Sequence, residues 1–196
     1  GVLRASFLNS GQICLCGSRV LIHEAIYEEF LQMYRSQLKD FKIGPVISRQ
    51  HRDKVQSYIE LAKQEGGQIV AGGKVIEKDG AWIEPTVITG LSHKSRTATE
   101  EIFGPVVTIH KFSTNQEAIS MANSTNYGLA GSVWSKSMGK IVAEQIESGM
   151  VWVNTWLHRD LRVPFGGVKD SGVGREGGKW SIEFFSEAVN ICVMED

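Results

Sequence analysis

The sequence predicts an α/β protein built on an open, mostly parallel sheet whose faces are covered by helices. Short β-rich runs alternate with segments of helical period along most of the 196 residues, and this alternation is typical of βαβ units. A hydrophobic fraction of 42% is enough for a single core. No repeat or linker divides the chain, so we expect one domain over residues 1–184 and a terminal strand within 185–196.

The first half of the chain predicts two helices between strands. RVLIH (19–23) is a β-rich run, and QIVAGG (68–73) and AWIEPTVITG (81–90) predict strands around a glycine-rich turn. A helix at 24–38 places apolar residues at every fourth position, namely Ile26, Phe30, Tyr34 and Leu38. A second helix at 48–67 has Ser48 as N-cap, two glycines at its end, and an apolar face formed by Val55, Tyr58, Ile59 and Ala62.

The second half repeats the alternation and then loses it. The predicted elements are a strand at 105–112, a helix at 113–124 capped by Ser113 or Thr114, a strand at 129–135, a helix at 137–149 ended by Gly149, a strand at 150–156, a loop at 157–178, a helical turn at 179–188 and a terminal strand at 189–194.

Composition excludes several classes of function. Lys plus Arg (21) nearly balances Asp plus Glu (22), without a basic stripe, which argues against a nucleic-acid binder. No apolar segment approaches the roughly 20 residues that span a bilayer, and the opening GVLRASFLNS is too short and polar for a signal peptide. An odd count of three cysteines argues against a disulfide framework. We therefore expect a cytoplasmic protein without membrane or nucleic-acid partners.

The segment SGQICLCGSR (10–19) places Cys14 and Cys16 one residue apart. A metal clip, a disulfide and a nucleophile in a tight turn are three interpretations. A clip needs two more soft ligands, whereas the five histidines are scattered singly, and a disulfide would close a strained ring. Gly11 and Gly17 permit a tight turn around Cys14, and free N–H groups there would favour a thiolate. A buried, unreactive cysteine stays open as well, and it is the expected role of Cys192.

Two other polar segments allow both a structural and a functional interpretation. EEIFGPV (100–106) is either a solvated acidic turn or a displayed carboxylate. Arg159 and Arg162 are either solvated charges, one paired with Asp160, or a clamp for a carboxylate. GVGREG (172–177) matches G-x-G-x-x-G formally, but it follows a polar loop near the end of the chain instead of opening a βαβ unit. We predict that its glycines shape a loop and do not hold a phosphate.

Five separated segments resemble the catalytic domain of the NAD(P)-dependent aldehyde dehydrogenase superfamily, in that family's order. They are NSGQICLCGSR (9–19), EEIFGPV (100–106), NYGLAGSVWS (126–135), GMVWVN (149–154) and PFGGVKDSGVGREGG (164–178). The resemblance covers essentially the whole chain. In addition, WLHRDLRVPFGG (156–167) looks like the branch that oxidises aminomuconic and hydroxymuconic semialdehydes.

The resemblance implies that Cys14 is the nucleophile. Its thiolate would attack an aldehyde carbon, the thiohemiacetal would lose hydride to the nicotinamide, and water would hydrolyse the thioester to the acid. The backbone N–H of Cys14 would donate to the developing oxyanion. Glu101 would accept hydrogen bonds from the ribose hydroxyls of NAD, with NADP not excluded, and Phe103 would pack beside that ribose. The resemblance implies no metal.

The resemblance also implies residues for a small-molecule aldehyde. Arg162, and with less support Arg159, would clamp the acid group of a semialdehyde. Phe165 would form a wall of the aldehyde channel, Trp156 would line the same pocket, and Asn154 would tie backbone together nearby.

Two departures from the family pattern bear on activity. The nucleotide-binding region and the general-base glutamate would both precede Gly1, so we expect this chain alone to be inactive. The connection DFKIGPVIS (40–48) is also shorter than the family's usual polar turn.

The terminal run AVNICVM (188–194) is expected to extend a neighbour's sheet in a homodimer or homotetramer. Two alternatives remain open: coenzyme A could replace water as the acyl acceptor, or the chain could be a non-catalytic domain that associates with full-length subunits.

Overall fold

The computed structural model describes residues 1–195, in which helices and strands alternate. The helices are α1 (Val2–Phe7), α2 (Tyr27–Leu38), α3 (Arg49–Gln64), α4 (Arg96–Thr99), α5 (Asn115–Asn123), α6 (Gly139–Ala143) and α7 (Gly178–Phe185). The strands are β1 (Arg19–His23), β2 (Gln68–Ala71), β3 (Thr86–Thr89), β4 (Val106–Phe112), β5 (Tyr127–Gly128), β6 (Ala130–Val133), β7 (Met150–Val153) and β8 (Val168–Lys169). Short 3-10 turns occupy Leu8–Gly11 and Glu24–Ile26.

Four strands form the main sheet in the order β1-β4-β3-β2. β4 pairs in parallel with both β1 and β3, and only the edge strand β2 runs antiparallel. β6 and β7 form a separate parallel pair, and β5 and β8 form an antiparallel one. The predicted α/β class with an open, mostly parallel sheet is confirmed.

Helices cover both faces of this sheet, as parallel strands require. On one face Val107 and Ile109 pack with Phe7 of α1 and Tyr34 of α2. On the other face the fully buried side chains of α3 are Val55, Ile59 and Ala62, as the periodicity predicted. The carboxyl end of α1 leads directly into the cysteine segment, so this core fixes the position of the candidate site.

The helix starts follow their capping chemistry. The Ser48 hydroxyl accepts a hydrogen bond from the N–H of His51 at 3.1 Å, which confirms Ser48 as the N-cap of α3. Thr114 caps α5 in the same way. The start predicted at residue 24 was wrong, because Glu24–Ile26 forms a 3-10 turn. Consequently Ile26 is exposed, and Tyr27 takes the buried position instead.

The helix predicted over 137–149 is shorter, and α6 ends at Ala143. The side chain of Asn123 donates to the carbonyl of Gln145 and accepts from the N–H of Glu147. These bonds take backbone groups that a continued helix would use, so the chain turns instead.

Several predicted strands are also shorter than their β-rich runs. The strand at 81–90 is reduced to β3, because Pro85 carries no N–H to donate to a ladder. The segment 172–177 is a loop in which Gly172, Gly174 and Gly177 have positive φ, as expected for glycines that shape a turn.

The C-terminal segment leaves large apolar side chains exposed. Residues 186–195 form no strand within the described chain, so the terminal strand stays a prediction, and residue 196 lies outside the described residues. The exposed set comprises Ile182, Phe184, Phe185, Val189, Ile191, Val193 and Met194. The predicted boundary after residue 184 also stays a prediction.

Within residues 1–195, none of the helices has the length and apolar character that crossing a bilayer requires. The cytoplasmic location stays a prediction.

Stability is expected to fall when the pH drops below neutrality, because of His110 on β4. Its side chain is 4% exposed, with Nε2 3.0 Å from Thr108 Oγ1. Burial, and secondarily the charge of Arg19, lower the pKa of His110 from 6.5 to about 4. Between these values the unfolded chain binds a proton that the folded chain does not, so the free energy of unfolding declines by about 2 kcal/mol as pH falls from 6.5 to 4.

Urea denaturation at stepped pH measures this decline. His110→Gln should flatten it, because the glutamine does not titrate, whereas an unchanged slope in that variant would assign the decline to other groups.

Candidate active site

Cys14 lies at the second position of a turn that the sequence encodes just before β1. The N–H of Cys16 donates to the carbonyl of Ile13 at 2.9 Å, which closes the turn around Cys14 and Leu15. Cys14 is exposed, whereas Leu15 is buried and anchors the turn. Within residues 1–195 the N–H of Cys14 finds no hydrogen-bond acceptor. The turn thus displays a thiol beside a free N–H donor, an arrangement that can stabilise an oxyanion on a carbon bonded to this sulfur.

The chain enters this turn through three consecutive left-handed residues. Asn9, Ser10 and Gly11 have φ values of 52°, 58° and 72°. For a residue with a Cβ this conformation costs about 1–2 kcal/mol, and such strain is characteristic of functional sites. The tight turn that the two glycines were expected to permit is present, and Gly11 uses the conformational freedom of glycine. Gly17 does not, because its φ is not positive and a Cβ there would meet nothing within 4 Å.

Gly11 brings the cysteine turn into contact with the loop that precedes β4. A Cβ on Gly11 would lie 2.2 Å from the carbonyl oxygen of Gly104, and a Cβ on Gly104 would lie 2.5 Å from Val55. Gly11, Gly104 and Val55 of α3 are therefore packed against one another at van der Waals distance. This contact joins EEIFGPV to SGQIC, two segments about 90 residues apart in the chain.

In the loop before β4, Glu101 is the available carboxylate. Glu100 binds Arg96 at 2.6 Å and the Tyr58 hydroxyl at 2.8 Å, and these partners, Arg96 first, lower the pKa of Glu100. The Glu101 carboxylate forms no hydrogen bond or ion pair with a side chain in the described part of the molecule. Glu100 is thus a structural ion pair, and Glu101 points its charge toward solvent.

Helix α3 holds the backbone of the same loop. His51 Nε2 donates to the carbonyl of Phe103 at 2.7 Å, and Lys54 Nζ donates to the carbonyl of Glu101 at 3.2 Å. Phe103 has φ of 59° and exposes 38% of its surface. Sequence reasoning missed His51 and Lys54, because nothing in a single helix sequence shows which loop its polar face will meet.

Trp156 links the loop after β7 to the cysteine turn. Its Nε1 donates to the carbonyl of Leu15 at 2.9 Å, one residue from Cys14. Two residues earlier, Asn154 bonds both the N–H and the carbonyl of Ser135, at 2.8 and 2.9 Å, and so ties together backbone as the sequence suggested. The half-buried Trp156 ring is therefore part of the wall around the turn.

The two arginines of the same loop are arranged differently. Arg162 is exposed and bonds Asp160 through Nε at 2.9 Å and through Nη2. This pairing raises the pKa of Arg162 and lowers that of Asp160. The Arg159 guanidinium instead lies 4.5 Å from the ring centroid of Phe165, and Phe165 is fixed by two backbone hydrogen bonds to Glu176. The structure joins Arg159 to Phe165, while Arg162 is neutralised by its neighbour.

Within residues 1–195, no group of three or more His, Cys, Asp or Glu side chains is placed to hold a metal ion. All three cysteines are free thiols. The buried position expected for Cys192 was wrong, because its side chain is exposed.

The three cysteines are expected to differ sharply toward iodoacetamide at neutral pH. Cys16 is half-buried, and this burial raises the pKa of its thiol from 9.0 to about 11. Because only the thiolate reacts, Cys16 should be labelled at least about tenfold more slowly than the exposed Cys14 or Cys192. Peptide mapping after brief labelling measures the three rates. Equal labelling of Cys16 and Cys192 would contradict the burial seen here.

The comparisons with known proteins agree with one another. A sequence profile described as "Aldehyde dehydrogenase family" matches residues 1–191. The chain is 47% identical to a 2-aminomuconic 6-semialdehyde dehydrogenase of Pseudomonas sp over 213 positions, which cover 100% of this chain and 43% of that protein. It is 45% identical to a 2-hydroxymuconic semialdehyde dehydrogenase of Pseudomonas putida, with 98% of this chain and 43% of the relative covered. The chain therefore spans less than half the length of these relatives.

Solved structures give the same result. A betaine aldehyde dehydrogenase of Staphylococcus aureus, crystallised with NAD+ and with one cysteine modified by BME, superposes with a TM-score of 0.90 at 41% identity. That match covers 94% of this chain and 41% of the crystallised chain.

The alignment with the first relative has 213 positions against the 196 residues of this chain, so at least 17 of its positions have no counterpart here.

Proposed function

The chain belongs to the aldehyde dehydrogenase family, and from that membership we propose that it is the catalytic portion of an NAD-dependent enzyme that oxidises a carboxylate-bearing semialdehyde to an acid. One observation carries the proposal. An exposed cysteine stands on a strained turn that contacts, through Gly11 and Gly104, the loop bearing a free carboxylate. This arrangement supports Cys14 as the nucleophile and the nearby Glu101 carboxylate as the group that would bind a vicinal diol.

The proposed chemistry begins with the Cys14 sulfur, which adds to the aldehyde carbon and forms a thiohemiacetal. The N–H of Cys14 donates to the oxygen that gains negative charge in this addition. NAD+, when bound, supplies the hydride acceptor that oxidation of the adduct to a thioester requires. Water then cleaves the Cys14 thioester, the thiolate leaves, and the acid is released.

The residues of the loop before β4 fit the ribose of such a cofactor. The free Glu101 carboxylate can accept two hydrogen bonds from a vicinal diol, and the partly exposed ring of Phe103 offers an apolar surface next to it. His51 and Lys54 fix the carbonyls on either side, so the loop is held in one conformation before a ligand arrives.

For the substrate, the structure supports Arg159 more than Arg162. The donors of Arg162 that would grip a carboxylate are already engaged with Asp160. Arg159 has no carboxylate partner among the described residues and is held against Phe165. Trp156 connects this loop to the cysteine turn. We therefore assign Arg159 to the acid group of the semialdehyde, with Phe165 and Trp156 as walls.

We also propose that the exposed C-terminal segment pairs with a second copy of the chain. Helix α7 buries none of its residues, and Ile191 and Val193 in the following extended segment are 80% and 76% exposed. An extended run of this composition pairs readily with a free sheet edge. A homodimer or homotetramer would cover it.

An aldehyde panel tests the substrate assignment. In the natural, full-length enzyme, reduced nicotinamide should form faster with a semialdehyde that bears a carboxylate than with the matching methyl ester. Arg159→Leu should raise KM for the acid about tenfold or more and leave the ester unchanged. Arg162→Leu is the matched control and should change neither value more than about twofold. A larger effect of Arg162→Leu would reverse the assignment.

A further inference from the structure

The turn that presents Cys14 depends on Asn9, Ser10 and Gly11 staying in the left-handed conformation. None of these residues lies in a regular helix or a strand, and two of them carry a Cβ. The hydrogen bonds within the turn itself are local, from the Asn9 and Gln12 amides to each other's carbonyls at 3.2 Å. Local bonds of this length, near the surface, do not by themselves select one backbone conformation.

Two hydrogen bonds between residues far apart in the chain join this segment to the connection between α2 and α3. The Ser10 hydroxyl donates to the carbonyl of Gly44 at 2.8 Å. The side-chain carbonyl of Gln12 accepts from the N–H of Ile47 at 2.8 Å. Ser10 is only 2% exposed, so its hydroxyl has lost water and depends on Gly44 as its acceptor.

The connection at residues 44–47 is itself held in place by packing and by a backbone hydrogen bond. Between Gly44 and Ile47, Val46 is 4% exposed and packs in the same core cluster as Val55 and Ile59 of α3. Its N–H donates to the carbonyl of Ala81 at 2.9 Å. The backbone groups that receive Ser10 and Gln12 are therefore fixed relative to α3, which also holds the loop of Glu101 through Lys54.

The geometry points to Ser10 and Gln12 as positioning residues that hold the Cys14 turn against the connection at residues 44–47. This inference rests on the proposed role of Cys14 as the nucleophile. Neither side chain touches the reacting atoms. Each offsets the strain of the left-handed residues, so that the turn keeps the sulfur and the free N–H of Cys14 in a single arrangement.

Replacements at Ser10 separate the hydrogen bond from the strain. Ser10→Ala removes the hydroxyl but keeps a Cβ at φ of 58°, so the turn should relax. Ser10→Gly removes the same hydroxyl, but glycine adopts this φ freely and should preserve the turn. A merely structural loss of one hydrogen bond would make both variants equally defective. Gln12→Leu, at a half-buried position, removes the second bond together with the local bond from Gln12 to the Asn9 carbonyl.

The experiment measures the rate of Cys14 alkylation by iodoacetamide over a range of pH in the 196-residue chain, with the exposed Cys192 as internal standard. We expect Ser10→Ala and Gln12→Leu to slow Cys14 about fivefold, Ser10→Gly to remain within about twofold of the unmodified protein, and Cys192 to be unchanged. Ser124→Ala is the matched control, since its hydroxyl donates to the carbonyl of Met121 at 2.8 Å far along the chain. The inference is overturned by equal Cys14 rates in all variants, or by a glycine variant as slow as the alanine one.

A second readout keeps this inference separate from the proposed function. If Cys14 of the unmodified chain is labelled no faster than Cys192, the activated nucleophile itself is not present in this chain. Amide hydrogen exchange of a peptide covering residues 9–16 then decides the positioning role, because exchange does not depend on thiol reactivity. Faster exchange in Ser10→Ala than in Ser10→Gly supports it, and identical exchange in the two overturns it.

Discussion

Replacing Cys14 with alanine in the natural, full-length enzyme is expected to lower the rate of aldehyde oxidation by about 10⁴-fold or more. The reason is that no other side chain of the turn can form the covalent adduct. Cys16 is half-buried, and this burial raises the pKa of its thiol to about 11, so the thiol stays protonated at neutral pH. The measurement is steady-state formation of reduced nicotinamide with a carboxylate-bearing semialdehyde.

Cys16→Ala is the matched control for this substitution, since it removes a thiol from the same turn. It should retain activity within about threefold, because a half-buried cysteine behaves as a small apolar residue. The reverse outcome, with Cys16 essential and Cys14 dispensable, would contradict the assignment of Cys14 as the nucleophile and therefore the proposed mechanism.

Replacing Gly11 with alanine is expected to lower the free energy of unfolding by about 3 kcal/mol or more. Two effects add. Alanine is strained at a φ of 72°, and its Cβ would lie 2.2 Å from the carbonyl oxygen of Gly104, a backbone atom that cannot rotate away. For a chain of this length the melting temperature should drop by roughly 6–12 °C. Circular dichroism during heating measures this shift.

Gly17→Ala provides the control three residues beyond Cys14. A Cβ at Gly17 would meet nothing within 4 Å, and its φ is not positive. The melting temperature should therefore change by no more than about 2 °C. Equal effects at the two glycines would show that the contact between the cysteine turn and the loop of Gly104 is not as close as described.

The fold could be predicted from the sequence because its main signals are local and periodic. The apolar spacing in α3 placed Val55, Ile59 and Ala62 in the core, and Ser48 was identified as the cap by its residue type alone. The predictions failed where a distant group competes for the backbone. Asn123, from the end of α5, takes the bonds that would have extended α6 to Gly149.

The candidate site divides in the same way. The resemblance to a known family identified Cys14, Glu101 and Phe165 as candidates, and it placed Arg162 ahead of Arg159. The structure ranks them through their neighbours: Asp160 neutralises Arg162, whereas Arg159 lies against Phe165. Position in the chain had favoured Arg162, because a linear sequence does not show which charge is already paired.

By itself the sequence determined the class of fold, most of its helices and strands, and the segment that carries the proposed nucleophile. These depend on interactions between residues a few positions apart, whose period and type can be read along the chain. Only the tertiary structure decided that Gly11 meets Gly104, that Ser10 meets Gly44 and that Trp156 meets Leu15. Such contacts join segments 34 to 141 residues apart, and they exist because packing the sheet between its helices brings those backbone groups within hydrogen-bonding or van der Waals distance.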